Sequence, residues 1–499
     1  MATDLETFRS WAGVLADLDG TMSLLNWDRD TTMPPSGAGT RAHQTATLAT
    51  LYHRELTRPE ISGVLEAIAN SVAIDAQTRR QAMLLGHRRA RAVRLPERLV
   101  GEISQAESES VVTWREARER GDWAAMRGPL TRLVALKRRE AEAISDDGLR
   151  YDALLDGFEP DARAADLAPV FADLSERLAP LVAQGTNRPA IELPERYWPP
   201  DAQLQLAHDL AQVVGFNLAD GCIGVSAHPF SNSSGHGDVR FSTRIDERNP
   251  ISNIRTVLHE AGHAMYEQGF SADFARTALR DAPSLGAHEA QARFWENHVG
   301  GTLEFWRVIE PRLYELFPDA MQGLGAEDFH AAANTVRPSL IRVEADEVTY
   351  NLHIILRFEL ELGLIGGTME VADLPEIWDS RMHELLGITP TSVITGVMQD
   401  VHWPEGMFGY FPTYTLGNLY AAQLAEAADT ALGGLQAAIG QHRFGDIVAF
   451  MRERIHQHGS LNPTPELMMR ATGHPLSADP LIAHLERRVV SSMASVARQ

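Results

Sequence analysis

Apolar residues recur every three or four positions over most of this 499-residue chain, the period of helices that bury one face. The pattern predicts helices over 39–63 and 67–92, with Pro59 near their break, then over 100–119, 123–147 and 161–184. A proline-rich passage, RPAIELPERYWPP at 188–200, interrupts the series as an ordered connection, and 201–220 resumes it. Further helices are expected at 286–299, 303–316, 327–335 and 342–363, and near 374–386, 412–437, 442–456 and 476–489. Residues 221–248 break the period. Glycine, serine and two-residue alternation there predict loops and short strands, the best being 238–245 with Val239, Phe241 and Thr243 on one face. Asn249 before Pro250 caps a helix that runs to Gln268 and stops at Gly269.

The chain therefore reads as mostly α, one large helical body over 1–499 with a small β element. The N-terminal helical portion, roughly 1–200, can form a lid. No internal repeat or low-complexity linker divides the chain.

The helix after Pro250 carries His259-Glu260-Ala261-Gly262-His263, an HExxH pattern. Residues four apart share a helical face, so His259 and His263 can offer two imidazoles to one metal while Glu260 reaches its water. Val257, Leu258, Ala261, Ala264 and Met265 surround them with apolar side chains, which points to a cleft rather than to a solvated helix edge. A catalytic zinc site needs a third protein ligand. Asp273, Asp281, His288, Glu289 and Glu296 follow the motif, and spacing alone does not choose among them. Glu289 and Glu296 stand two turns apart, so one can be a ligand while the other orients a histidine.

Composition narrows the partners. Forty-five basic against 67 acidic residues give a formal charge of −22, which disfavours nucleic acid and anionic membranes as general partners. One cysteine, Cys222, excludes an intramolecular disulfide and reads as a buried small residue. The first twenty residues are acidic where a signal peptide is basic, and no stretch of eighteen apolar residues occurs, so a cytoplasmic setting is expected. The segment 396–420 concentrates His402, Trp403, Tyr410 and Tyr414, side chains suited to stabilising an oxyanion. Arg240 and Arg342 can fork a peptide carboxylate or pair with a neighbouring acid such as Asp238 or Asp346.

Landmarks in order along the chain resemble the carboxypeptidase Taq family of metallocarboxypeptidases: LNWDRDTTMPPSGAGTRAHQ at 25–44, HPF at 228–230, DVRFS at 238–242, HEAGH at 259–263, HEAQ at 288–291, IRVEAD at 341–346, GVMQDVHW at 396–403 and GYFPTYTLGNLYAAQ at 409–423. The resemblance implies a large helical zincin-like fold with a long substrate groove, and a homodimer. It implies His259, His263 and Glu289 as ligands of zinc, for which cobalt can substitute, and Glu260 as general base. Asp238, Arg240, Arg342, His402, Tyr410 and Tyr414 would line the groove. Ser242 and Ala290 stand where the family pattern has threonine and serine, small changes beside the ligands. The activity implied is release of single C-terminal residues from peptides, with broad specificity. The rivals are an oligoendopeptidase or dipeptide-releasing enzyme of related fold, which would not need a free C-terminus, and a non-catalytic helical binding protein with a vestigial site, which would cleave nothing.

Overall fold

Why the helices end where they do is mostly legible in their caps. The computed structural model describes residues 2–187 and 190–496; Arg188 and Pro189, which open the expected connection at 188–200, lie outside the described residues. The chain divides into two compact units. The first is built from 1–93, 193–333 and 421–475, the second from 94–192, 334–420 and 476–499.

In the first unit the expected pair of helices around Pro59 is three: Ala38–Leu56, Ile61–Ala69 and Ala76–Arg94. Asp75 starts the last by accepting from Thr78 N at 2.8 Å. An unforeseen helix, Ala2–Thr31, precedes them. Phe8, Trp11, Ala12 and Leu15 give it a buried stripe that packs with Leu56, Ile61, Ile68 and Leu85, but polar Asp17, Asp19 and Thr21 dissolve the period afterwards. Several arginines of the basic run at 79–94, which on sequence grounds can meet an acidic partner chain or solvent, are tied into the fold. Arg79, Arg80 and Arg89 donate to backbone carbonyls of Ser71, Ser460 and Arg58, and Arg88 pairs with Asp281 at 2.7 Å.

The helix expected at 201–220 spans Pro200–Val214 and ends at Gly215, whose φ of 113° suits only glycine well. A three-stranded sheet follows: β1 (Gly221–Val225), β2 (Ser231–Gly235) and β3 (Asp238–Thr243), in the order β1-β3-β2, with β1 parallel and β2 antiparallel to β3. Val239, Phe241 and Thr243 are fully buried, as alternation predicts. Cys222 is exposed, not buried: β1 is an edge strand and turns it outward.

The helix Pro250–Gly269 carries the HExxH residues, and Asn249 caps it by accepting from Ser252 N. The next helix, Leu285–Arg293, is capped by Ser284 and continues as a wider π turn over Phe294–Val299. These two helices touch backbone to backbone at Gly262. A Cβ there would lie 2.7 Å from both Ala292 Cα and Gln291 O.

The second unit assembles Glu97–Arg120, Trp123–Ile144, Ala164–Thr186, Glu347–Gly366 and Leu374–Leu386, with further short helices. The helix expected from 342 begins at Glu347, because Asp346 caps it by accepting from Val348 N and Thr349 N at 2.9 and 3.1 Å. Arg342 therefore does not start this helix; it sits in a separate single turn, Arg342–Glu344. Among the described residues no helix is long and apolar enough to cross a membrane.

Gly262→Ala forces a methyl group into neighbouring backbone, which cannot rotate away. We expect a loss of about 1–3 kcal/mol, read as a lowered urea midpoint, together with weakened metal affinity in a competition titration. Unchanged values for both would contradict the close approach.

Candidate metal centre and arginine cluster

The helix Pro250–Gly269 places His259 and His263 one turn apart, and Leu285–Arg293 brings Glu289 against them. His259 Nε2 and His263 Nε2 stand 3.9 and 3.6 Å from Glu289 Oε2, and the three residues offer ligand atoms all within 4.8 Å of one another. Spacing left the third ligand open; the geometry brings Glu289 to the histidines.

The far side of each ring decides whether those nitrogens have lone pairs to give. His263 Nδ1 lies 3.1 Å from His288 O. A carbonyl only accepts, so Nδ1 carries the proton and Nε2 is left as a donor of electrons. His259 Nδ1 lies 2.9 Å from Glu296 Oε2. Arg293 and Arg255 beside Glu296 outweigh its burial and hold its carboxyl well below the usual range, so it too accepts. Burial, reinforced by His288, pulls His263 down to about 3 and keeps it neutral. Burial also lowers His259, but the carboxylates of Glu289, Glu296 and Glu260 raise it overall. With both Nδ1 atoms committed, two Nε2 atoms and one carboxylate converge, and a divalent cation would take the place of a proton on His259 Nε2.

Arg293 is the residue that sequence reasoning missed here. It donates to Glu289 Oε1 at 2.6 Å and to Glu296 Oε2 at 3.2 Å, fixing ligand and supporting carboxylate together. Its place one turn after Glu289 was the available signal. His288 stacks on His263 with centroids 4.4 Å apart and meets Glu267 Oε1 at 3.2 Å. Glu260 is buried; burial pushes its carboxyl up to about 7, with His259 opposing and Glu289 adding to the rise.

Also in this unit, Asp238 and Arg240 sit on β3 and pair with each other, Nε to Oδ1 at 2.6 Å and Nη2 to Oδ2 at 2.8 Å. Trp27 lies 6.0 Å from the guanidinium. The pairing with a neighbouring acid that sequence allowed for Arg240 is present.

The second unit gathers Arg342, His402, Tyr410 and Tyr414. Arg342 pairs with Asp400, not with Asp346, whose carboxylate is engaged in capping. Its Nη1 donates to Tyr350 Oη at 3.0 Å and its guanidinium lies 5.1 Å from the Tyr414 ring. His402 Nε2 meets Tyr414 Oη at 3.3 Å, and the rings of Tyr410 and His402 are 5.3 Å apart. Burial, then Arg342, lowers His402 to about 4. Arg357 and Asp400 escaped the sequence reading. The signal for Arg357 was a lone cation in the apolar run Leu352–Leu360.

A family model described as Carboxypeptidase Taq (M32) metallopeptidase matches residues 8–489. Thermostable carboxypeptidase 1 of Thermus thermophilus is 44% identical over 483 residues, covering 93% of this chain and 94% of the relative. Thermostable carboxypeptidase 1 of Pyrococcus furiosus is 34% identical over 480 residues, 94% of each. The crystal structure of M32 carboxypeptidase from Deinococcus radiodurans R1 superposes with a TM-score of 0.95 at 34% identity, over 99% of this chain and all of that one (100%).

Replacing Glu296 by Gln should weaken metal binding by about 10–100-fold in a chelator competition, because His259 loses its ionised acceptor. In the second unit Asp400→Asn should cost about 3–5 kcal/mol by leaving two buried guanidiniums unopposed. The arginines hold Asp400 below the ordinary carboxyl range despite its burial. Its contribution is therefore complete above the unfolded carboxyl pKa of about 4 and is lost as pH falls through the depressed value. The variant should lack that part of the acid limb in a stability–pH profile.

Proposed function

Because this chain belongs to the carboxypeptidase Taq (M32) metallopeptidase family, we propose how its residues divide the work of a metal-dependent carboxypeptidase. That activity is the chain's own: it is a peptide hydrolase with a His/His/Glu metal-binding triad. His259, His263 and Glu289 hold the cation, which we take to be zinc, with cobalt able to substitute because nitrogen and oxygen donors discriminate weakly between them. When bound, such a cation supplies Lewis acidity, polarising a carbonyl and acidifying water. The observation that carries the assignment is the pair of occupied Nδ1 atoms, which leaves both Nε2 atoms turned toward Glu289.

Glu260 takes the proton of the attacking water at its carboxylate and returns it to the leaving amine. Its raised proton affinity suits a group that must hold a proton between two steps. His402, Tyr410 and Tyr414 are assigned to the oxyanion; with His402 Nε2–H donating to Tyr414 Oη, the Tyr414 O–H is left to donate to it. Arg342 receives the substrate's terminal carboxylate, since its counter-ion is shared with a second arginine while Arg240 has Asp238 to itself. Asp238 and Arg240 line the groove as an ion pair. Substrates are peptides with free C-termini, shortened one residue at a time with broad preference. A homodimer and a cytoplasmic setting complete the proposal; light scattering tests the first.

Time-resolved mass spectrometry of an unstructured peptide, free or amidated at its C-terminus, tests the assignment. Zinc-loaded enzyme should give a ladder of single-residue losses from the free acid only. Chelation should stop it and zinc or cobalt should restore it, while Glu260→Gln should bind metal yet cut at least about a thousandfold more slowly. Internal fragments from both peptides would support an endopeptidase instead.

A further inference from the structure

Charge does not balance inside the second unit. Arg342 directs Nε and Nη2 at Asp400 Oδ1, at 3.0 and 2.9 Å, and Arg357 directs Nε at Oδ2, at 2.7 Å. Among the described residues, Asp400 is the one carboxylate ion-paired with either arginine. The side chains of Arg342, Arg357 and Asp400 are 7%, 0% and 12% exposed, so little water screens them. Guanidinium stays charged in proteins. Two cations around one anion leave a single positive charge in surplus.

No neighbour forms a second ion pair with either arginine among the described residues. Burial, with the arginines adding, lowers His353 to about 3 and His402 to about 4, so both are neutral. Tyr414, Phe411 and Trp378 present ring faces to the two guanidiniums. Glu361, one turn beyond Arg357, forms no ion pair with it: its oxygens are taken by Trp403 Nε1, Gly409 N and Tyr151 Oη at 2.8, 3.0 and 2.8 Å, and burial pushes it up to about 7 against these donors and Arg357, so it offsets the surplus only in part. A buried charge without its counter-ion is costly, and a ligand bearing one negative charge removes that cost.

We propose that Arg357 is a positioning residue of the carboxypeptidase reaction: by sharing Asp400 it leaves Arg342 with a surplus charge whose complement is a peptide's free terminal carboxylate. This rests on the reading that Arg342 receives that carboxylate. Arg357 itself touches no substrate. Its Nη1 is tied to His353 O at 2.7 Å, which holds it behind Asp400.

Calorimetry on metal-loaded, full-length Glu260→Gln protein, which binds peptide with little turnover, supplies the test. The parent should bind an unstructured peptide acid at least about tenfold tighter than its amide. Adding Arg357→Gln should bring that ratio to within about threefold by weakening the acid alone, and Arg357→Lys, which keeps the charge, should restore it. Should Arg357→Gln fail to fold by circular dichroism, His353→Glu removes the surplus by adding a carboxylate, and it must collapse the ratio likewise. A ratio that persists in a folded Arg357→Gln or His353→Glu protein overturns the proposal, as does failure of lysine to restore it. No preference for acid over amide in the parent would instead defeat the assignment of Arg342.

Discussion

The two hydrogen bonds on the outer nitrogens of His259 and His263 set the terms for the rest of the metal centre. An imidazole that could turn over, or move its proton to Nε2, would present an N–H where a lone pair is required. One acceptor is a backbone carbonyl and the other a carboxylate kept ionised by two arginines, so neither can reverse its role. Much of the surrounding architecture serves these acceptors. His288 O reaches His263 because the following helix lies against the HExxH helix, and Gly262 is what permits that approach. Arg293 then ties Glu289 and Glu296 together, so that the ligand from one helix and the support for the other move as a unit.

Each unit gathers acids and arginines in unequal number around its site. Around the histidines the buried carboxyls of Glu260 and Glu289 and the part-buried one of Glu296 meet two arginines, Arg255 and Arg293. Around Asp400 two arginines meet one carboxylate. Burial makes uncompensated charge expensive; a metal cation would answer the carboxyls of the first unit and, under the proposal above, a peptide carboxylate would answer the arginines of the second. The Asp238–Arg240 pair on β3 shows the contrast, since its charges already cancel and it offers no such driving force.

Most of the metal centre could be read from the sequence because its ligands obey the helical period, His259 with His263 and Glu289 with Glu296. Spacing alone could not choose Glu289, since two residues on one face are equivalent until the partner helix is placed; the choice came from the HEAQ landmark at 288–291. The arginine cluster was half legible: Arg342 stood out beside Asp346, but its real partner is 58 residues away at Asp400, a pairing that no local pattern encodes. Fold boundaries followed the same rule. Caps such as Asn249 and Asp346 act within three residues; Asn249 was seen in advance, whereas Asp346 was read as a possible ion-pair partner. The helix Ala2–Thr31 was missed because its regular buried stripe ends at Leu15, after which only Trp27 is buried over four more turns.

Edge-strand geometry gives the molecule one more property. Cys222 is the single thiol in 499 residues, it faces outward from β1, and it stands opposite Arg240 in the β1–β3 register. Thiol chemistry on this chain therefore has one address, fixed by the sheet and not by any introduced residue. A fluorophore or spin label attached there would report from beside Arg240 against no background from other cysteines, leaving the histidines, Glu289 and the Asp400 cluster chemically untouched.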